Sequence, residues 1–341
     1  MNLKKIDGAI ASYDKDLADA DKARLAFFRG IWGIQQTAEE RVAAAAQAAC
    51  GLATATAGYA VPDTADLDAW YWDDTTSIFA HAPVAIDAGE LVRTAGEIAA
   101  YIAEQGSLTD EDAAALRAFD WGQLAGDKAA VSGAPSLALA GSDPADYLAL
   151  AAKWLEDAQV AGADIVLMVL SLALRAMLEP AQAAAMSAEH KAALAGYTTH
   201  TKPLRCPCCG GEPTLAYVGP TEASSGNGRV LYCGQCGSTW EVERVRCPHC
   251  GSRSQNKLHY VSIEQDDAHR IYACDDCGRY LRTFFAPDMK GLGAPFVPEV
   301  EDVVMATLDA VAQSDDYAAA LAKVQSASAK KSAMPAPSAS H

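Results

Sequence analysis

Eight of the ten cysteines lie between Cys206 and Cys277 as four C-x-x-C pairs: Cys206/Cys209, Cys233/Cys236, Cys247/Cys250 and Cys274/Cys277. Each cysteine of the first two pairs recurs 41 residues later in the last two, so the stretch is a tandem duplication of a unit C-x2-C-x23-C-x2-C. Other positions repeat at the same offset: Arg205 with Arg246, Pro207 with Pro248, Gly210 with Gly251, Arg229 with Arg270, and Gly237 with Gly278. Few patterns constrain a fold as tightly. Two cysteines separated by two residues turn their thiolates onto one ion, and two such turns joined by a hairpin complete a tetrahedron of sulfur.

A glycine follows the second cysteine of every pair, at Gly210, Gly237, Gly251 and Gly278. There the chain can take φ > 0 and aim backbone N–H groups at the sulfurs. This is the turn chemistry of zinc ribbons and rubredoxins, and it predicts one ion per unit. Pairing within a unit is favoured by the repeat; Cys233/Cys236 with Cys247/Cys250, across ten residues, is the alternative. The internal gap exceeds the usual ribbon spacing, and Ser224-Ser225-Gly226-Asn227-Gly228 is expected to absorb the excess as a hairpin loop. Disulfides would need an oxidising compartment, and the N-terminus shows no export signal. Sulfur-only tetrahedral ligation suits zinc or a single iron, and four protein ligands make a closed site whose default role is structural.

The formal charge of −17 is unevenly spread: residues 1–200 carry 13 Lys/Arg against 28 Asp/Glu, whereas residues 201–290 carry 11 against 10. Most of the chain would repel a phosphate backbone, which disfavours a nucleic-acid-binding ribbon. The most apolar run, Ile165–Leu174, is bracketed by Asp164 and Arg175 and is too short to cross a bilayer. A cytoplasmic protein without membrane insertion is expected.

Residues 1–200 read as an α-helical domain. From Ala18 to about Ala49, Leu25, Phe28, Ile31, Trp32 and Gln35 share one helical face, and Gly51 marks its end beside Cys50, a small packed hydrophobe. Trp70-Tyr71-Trp72 anchors an irregular connection. Asp87 with Glu90 caps a helix with an apolar stripe of Leu91, Ala95, Ile98, Ala99 and Ile102, closed by Gly106. Further helices are expected after Thr109 and from Ser142 or Asp143, the latter carrying Tyr147, Leu148, Leu150, Ala151, Trp154 and Leu155. Ile165–Leu174 is expected as the central helix, ended by Pro180, with a further alanine-rich helix to Gly196 and a linker containing His200.

Residues 201–243 and 244–290 then form the first and second ribbons. Arg229–Tyr232, His269–Tyr272, Trp240–Val245 and Tyr280–Phe285 are predicted strands. Residues 291–325 form a C-terminal helical segment with a helix from Glu299 to about Val311, and 326–341 a disordered tail. The fold class is α+β: a mostly helical N-terminal bundle, two tandem rubredoxin-like or zinc-ribbon modules and a short C-terminal helix. Cys208 has no counterpart in the second unit, where His249 takes its place, and is a spare thiol beside a closed site.

The run CPCCGGEP, then GNGRVLYCGQCGSTWEVERVRCPHCGS, LHYVSIE, ACDDCGRYLR and VPEVEDVVMATLDA, resembles the formate dehydrogenase accessory protein family, FdhE, over about Arg205 to Ala310. Fainter likeness extends to Leu25–Gln35 and Leu174–Glu179. The resemblance implies a cytoplasmic, chaperone-like maturation factor that binds the catalytic subunit of formate dehydrogenase before export and holds iron or zinc in its cysteine sites. It implies that Asp275, Asp276, Tyr280 and the surface around Trp240 meet the partner. Arg282 departs from a lysine common in the family, and Cys208 is an addition. A Gly-rich phosphate loop, a nucleophile triad and a three-ligand open metal site are not apparent, so a non-enzymatic role leads. A redox protein acting on the client's metal or thiolate centre through an oxidisable iron or Cys208 exchange is the alternative.

Overall fold

The computed structural model describes residues 1–13, 17–50, 77–126, 133–186, 203–221, 227–263, 266–286, 296–315, 317–319 and 321–322. The chain divides into two compact units: Met1–Glu212 with Cys233–Thr239, and Pro213–Tyr232 with Trp240–His341.

In the first unit, α1 (Leu3–Tyr13), α2 (Asp19–Cys50), α3 (Ile78–His81), α4 (Ala88–Gln105), α5 (Asp110–Ala118), α6 (Leu137–Ser142), α7 (Pro144–Asp157) and α8 (Ala163–Ala185) follow one another. The expected apolar stripe of α2 turns inward at Leu25, Ile31 and Trp32, and Gln35 is buried with them, donating from Nε2 to the Leu172 carbonyl at 2.8 Å. Cys50 ends α2, but its side chain lies outside the described residues, as do Trp70-Tyr71-Trp72 and His200. Helix starts follow the capping chemistry: Asp87 accepts from the Glu90 N–H at 2.7 Å, Thr109 from Asp112 at 3.1 Å, and Asp143 from Asp146 at 3.0 Å. All five stripe residues of α4 are buried and the Gly106 N–H closes the helix on the Ile102 carbonyl. In α7, Tyr147, Ala151, Trp154 and Leu155 are buried, whereas Leu150 is 44 % exposed and faces out.

The central helix differs from expectation at its end. Instead of stopping at Pro180, α8 runs through it to Ala185. A proline there removes one backbone bond and crowds the preceding turn. Burial of Ala176, Met177, Leu178, Ala181, Ala184 and Ala185 on either side holds the helix together past it. The alanine-rich stretch expected as a separate helix therefore begins inside α8, and its remainder to Gly196 lies outside the described residues.

The second unit holds one six-stranded sheet in the order β3-β2-β1-β6-β5-β4. Its strands are β1 (Leu215–Pro220), β2 (Asn227–Tyr232), β3 (Thr239–Val242), β4 (Leu258–Ile263), β5 (Asp266–Cys274) and β6 (Tyr280–Phe285). Each repeat contributes an antiparallel hairpin, β1–β2 and β4–β5. The two hairpins are fused because β1 pairs in parallel with β6, Leu215 opposite Arg282 to Val218 opposite Phe285. The loop expected at 224–228 falls mostly outside the described residues, with Asn227 and Gly228 already in β2.

The single helix expected from Glu299 is two, α9 (Pro298–Val304) and α10 (Ala306–Ala312), broken at Met305. Met305 and Leu308 pack with Leu215, Tyr232, Ile271, Phe284 and Tyr317 in one core. Arg282 ties β6 to this segment, donating to the Asp302 carbonyl at 2.9 Å and pairing with its carboxylate at 2.5 Å.

Two substitutions separate crowding from propensity. A Cβ at Gly141 would lie 2.0 Å from the Val84 carbonyl oxygen, so Gly141→Ala is expected to destabilise the first unit by about 1–3 kcal/mol. Nothing lies within 4 Å of a Cβ at Gly96 inside α4, so Gly96→Ala is expected to stabilise it by about 0.5–1 kcal/mol in denaturant unfolding. In the second unit His269 sits between Asp266 at 2.8 Å and Glu301 at 3.1 Å. Burial pulls its pKa down, but the hydrogen bonds to both carboxylates outweigh this and push it up from 6.5 to about 9. A raised histidine stabilises fully below its unfolded pKa and ceases to as pH climbs through the folded one. Sheet-unit stability should therefore fall by roughly 1–3 kcal/mol between pH 6.5 and about 9, and His269→Phe should flatten that slope.

Candidate metal centres

The four C-x-x-C turns share one backbone construction. In each, the glycine N–H donates to the carbonyl of the first cysteine: Gly210 to Cys206 at 2.9 Å, Gly237 to Cys233 at 2.9 Å, Gly251 to Cys247 at 3.0 Å and Gly278 to Cys274 at 2.9 Å. The first cysteine N–H in turn donates across the turn, to Gly211, Ser238, Ser252 and Arg279 at 2.7–3.0 Å. Such a loop closes only if the residue after the second cysteine is left-handed, and the four glycines have φ of 74°, 79°, 78° and 68°.

The turns pair within each repeat rather than across the junction. Cys206, Cys209, Cys233 and Cys236 form one cluster (site 1) and Cys247, Cys250, Cys274 and Cys277 a second (site 2), with the sulfurs of each within 4.8 Å of one another. Sγ separations are 3.5 Å for Cys206–Cys236 and Cys209–Cys233, and 3.7 Å for Cys247–Cys277 and Cys250–Cys274. A regular tetrahedron with metal–sulfur bonds of about 2.3 Å has edges of about 3.8 Å, so both clusters fit one ion each with little movement. Site 1 belongs wholly to the helical unit and site 2 to the sheet unit.

Thiol chemistry at site 1 points the same way. Burial pushes the Cys206 and Cys236 thiols well above their ordinary range, whereas hydrogen bonding among the four sulfurs, in which either atom can be the donor, takes Cys233 well below it. Protons shared in that way are what a thiophilic cation displaces. At site 2 the His249 and Cys250 N–H groups point at the Cys247 sulfur at 3.4 and 3.5 Å, as thiolate ligands require.

Arg229 supplies an independent test. It is 1 % exposed, its guanidinium lies over the Tyr272 ring at 4.1 Å, and its Nη1 donates to the carbonyl of Arg246, the residue before Cys247, at 3.0 Å. Its Nε and Nη2 have no hydrogen-bond partner and it has no ion pair among the described residues. A buried guanidinium without a carboxylate is costly. Burial pulls its pKa below the usual guanidinium range, against which Tyr260, Tyr272 and Cys247 favour the charged form, and a divalent ion in four thiolates would add net negative charge on the Cys247 side. The residues at site 2 therefore fit a metal.

Site 1 is held by helices. Arg175 of α8 donates from Nη1 to the Gly234 carbonyl at 3.3 Å, and Ser171 Oγ donates to Gln235 Oε1 at 2.9 Å. On the other turn, the Ile78 and Phe79 N–H groups of α3 donate to the Pro207 and Cys208 carbonyls at 2.9 and 2.8 Å. No expectation attached these roles to Ser171 and Arg175; the signal in the sequence was Arg175, a charged residue bounding the apolar run inside α8. Cys208 is 0 % exposed, so its thiol is shut away from any outside reactant. Of the expected partner-contact residues, Trp240 is buried at 5 %, Asp275 pairs with His259 at 2.8 Å, and the Tyr280 hydroxyl donates to Asp309 at 2.9 Å. Asp276 is exposed and accepts from Ser252 Oγ at 2.5 Å.

No family model matches the chain. Curated proteins named FdhE are similar to it: one from Escherichia coli O1:K1 is 33 % identical over 117 residues, covering 33 % of this chain and 34 % of the relative. One from Shigella boydii serotype 18 has the same identity and coverage, and one from Escherichia coli O9:H4 is 32 % identical over 116 residues. The match thus spans about a third of the length of these relatives. The crystal structure of the FdhE protein from Pseudomonas aeruginosa aligns over 90 % of this chain and 89 % of its own, with 17 % identity and a TM-score of 0.48. No helix among the described residues is long and apolar enough to cross a membrane.

If both clusters are metal sites, the purified protein contains two equivalents of metal per chain. Cys233→Ser is expected to lower this to about one and to destabilise the helical unit, and Cys274→Ser to lower it to about one and destabilise the sheet unit, read by elemental analysis and thermal unfolding.

Proposed function

We propose, from the premise that this chain is an FdhE-family protein, as its likeness to the curated FdhE homologues supports, that it is an accessory factor for the maturation of formate dehydrogenase. It works in the cytoplasm, holds one zinc or iron ion in each tetra-cysteine site, and binds the catalytic subunit before export. It acts by binding rather than by catalysing a reaction. The observation that carries this reading is the pair of complete four-sulfur cages on duplicated turns in a chain that shares 33 % identity with FdhE over 117 residues.

The physical role of the cages is to make short β-turns rigid. Four protein ligands leave an ion no open position for substrate, so the default contribution of such a site is to folding and shape. Rigid turns present side chains at low entropic cost, which favours holding an incompletely folded client. The fourth turn is the best-placed contact: Asp276 is exposed at its tip and nothing lies within 4 Å of a Cβ at the neighbouring Gly278. Asp275 and Tyr280 are steadied by His259 and Asp309, whereas Trp240 is itself buried. The exposed Asp276 carboxylate suits a basic group of the client.

The test is retention of the unexported formate dehydrogenase catalytic subunit on the tagged full-length protein. Asp276→Lys is expected to weaken retention by about tenfold through like-charge repulsion while leaving metal content and thermal unfolding unchanged. No subunit retained by the wild-type chain, together with normal formate dehydrogenase activity in cells lacking it, would sink the proposal.

A further inference from the structure

The duplication lets each turn be compared with its own copy. A Cβ at Gly237, in the second turn of site 1, would meet Glu179 at 3.4 Å and Arg175 at 3.6 Å, both from α8. A Cβ at Gly210, in the first turn, would meet Ser77 at 3.6 Å. At Gly278, the copy of Gly237 in site 2, nothing lies within 4 Å. The Gly234 carbonyl and Gln235, which α8 engages in site 1, correspond to Asp275 and to the exposed Asp276.

Exposure of the sulfur ligands follows this difference. In site 1 the four cysteines are 2, 1, 0 and 0 % exposed. In site 2 the first cysteine of each turn is equally deep, Cys247 at 0 % and Cys274 at 3 %, but Cys250 is exposed and Cys277 half-buried. Site 2 thus has a closed side formed by the first cysteines and an open side formed by the second ones. Ligand exchange at a four-coordinate ion needs an incoming donor to approach the metal, and only an open side admits one.

We propose that site 2 is a metal-exchange centre entered through Cys250 and Cys277, that its incoming ligand is a thiolate from outside the chain, and that site 1 is closed to exchange. The inference rests on the reading of both clusters as metal sites. A thiolate is the matching donor because a sulfur-only site selects thiophilic ions. With a metal bound, an outside thiol would lose its proton as it replaced Cys250, whose thiolate would take a proton up, so that charge and ligand number would balance with no electrons transferred. Repetition at Cys277 would leave the deep pair Cys247 and Cys274 as the chain's own remaining ligands.

The experiment uses the zinc-loaded full-length protein under native conditions with excess glutathione and a zinc-sensitive dye, alongside a matched sample pulsed with iodoacetamide and mapped by peptide mass spectrometry. One equivalent of zinc is expected to leave more than about tenfold faster than the other, as local access outruns unfolding of a buried site. Alkylation should begin at Cys250 and Cys277 while Cys206, Cys209, Cys233 and Cys236 stay unlabelled until guanidinium unfolds the chain. Cys250→Ser should abolish the fast phase and leave the slow equivalent in place. Two equivalents leaving at one rate, or Cys250 labelling no faster than Cys206, overturns the inference while leaving the metal reading intact. A protein that binds no zinc at all overturns both.

Discussion

Four sulfur atoms held within 4.8 Å of one another, twice over, are the constraint on which everything else in this chain depends. Bare thiols at such separations compete for protons; a cation at the centre turns the same crowding into cohesion. The backbone is arranged for that outcome, with a left-handed glycine closing every turn and N–H groups aimed at the Cys247 sulfur. At site 2 the buried Arg229 donates to the carbonyl of Arg246, the residue before Cys247, so a positive charge stands next to the turn that a thiolate cage would balance.

The two copies have since been put to different use. In the first, α3 and α8 close over the turns through main-chain and side-chain hydrogen bonds, and the cage serves as part of the core of a helical unit. In the second, the turns stand at the margin of a sheet with their later cysteines towards solvent. A single ancestral unit has therefore supplied both an internal fastening and an exposed one. The difference lies in what surrounds the ligands, since the ligands themselves are the same.

Local chemistry was legible in the sequence where one segment settles the outcome. The grouping of cysteines, the left-handed glycines, the caps at Asp87, Thr109 and Asp143, and the buried stripes of α2 and α4 follow from short-range rules. What escaped is set by distant partners. Proline chemistry ends a helix at Pro180 unless packing on both sides outweighs the lost bond, and the packing at Ala181 and Ala184 is not visible in the segment itself. Fusion of two hairpins into one sheet depends on β1 lying beside β6, more than sixty residues away, which no periodicity encodes. The clamp of Ser171 and Arg175 on the second turn and the outward face of Leu150 belong to the same class.

The hairpin β1–β2 is threaded out of one unit and back into it: residues 213–232 belong to the sheet, while the turns on either side of them belong to the helices. A nascent chain that has finished α8 has therefore not finished the helical unit, which waits for Cys233 and Cys236 to arrive after twenty residues committed elsewhere. Cutting the protein after residue 212 to isolate its helices would leave half a cage and two stranded thiols. The helical unit is complete only once residues 233–239 have been added, so a ribosome must release the β1–β2 hairpin before the first cage can close.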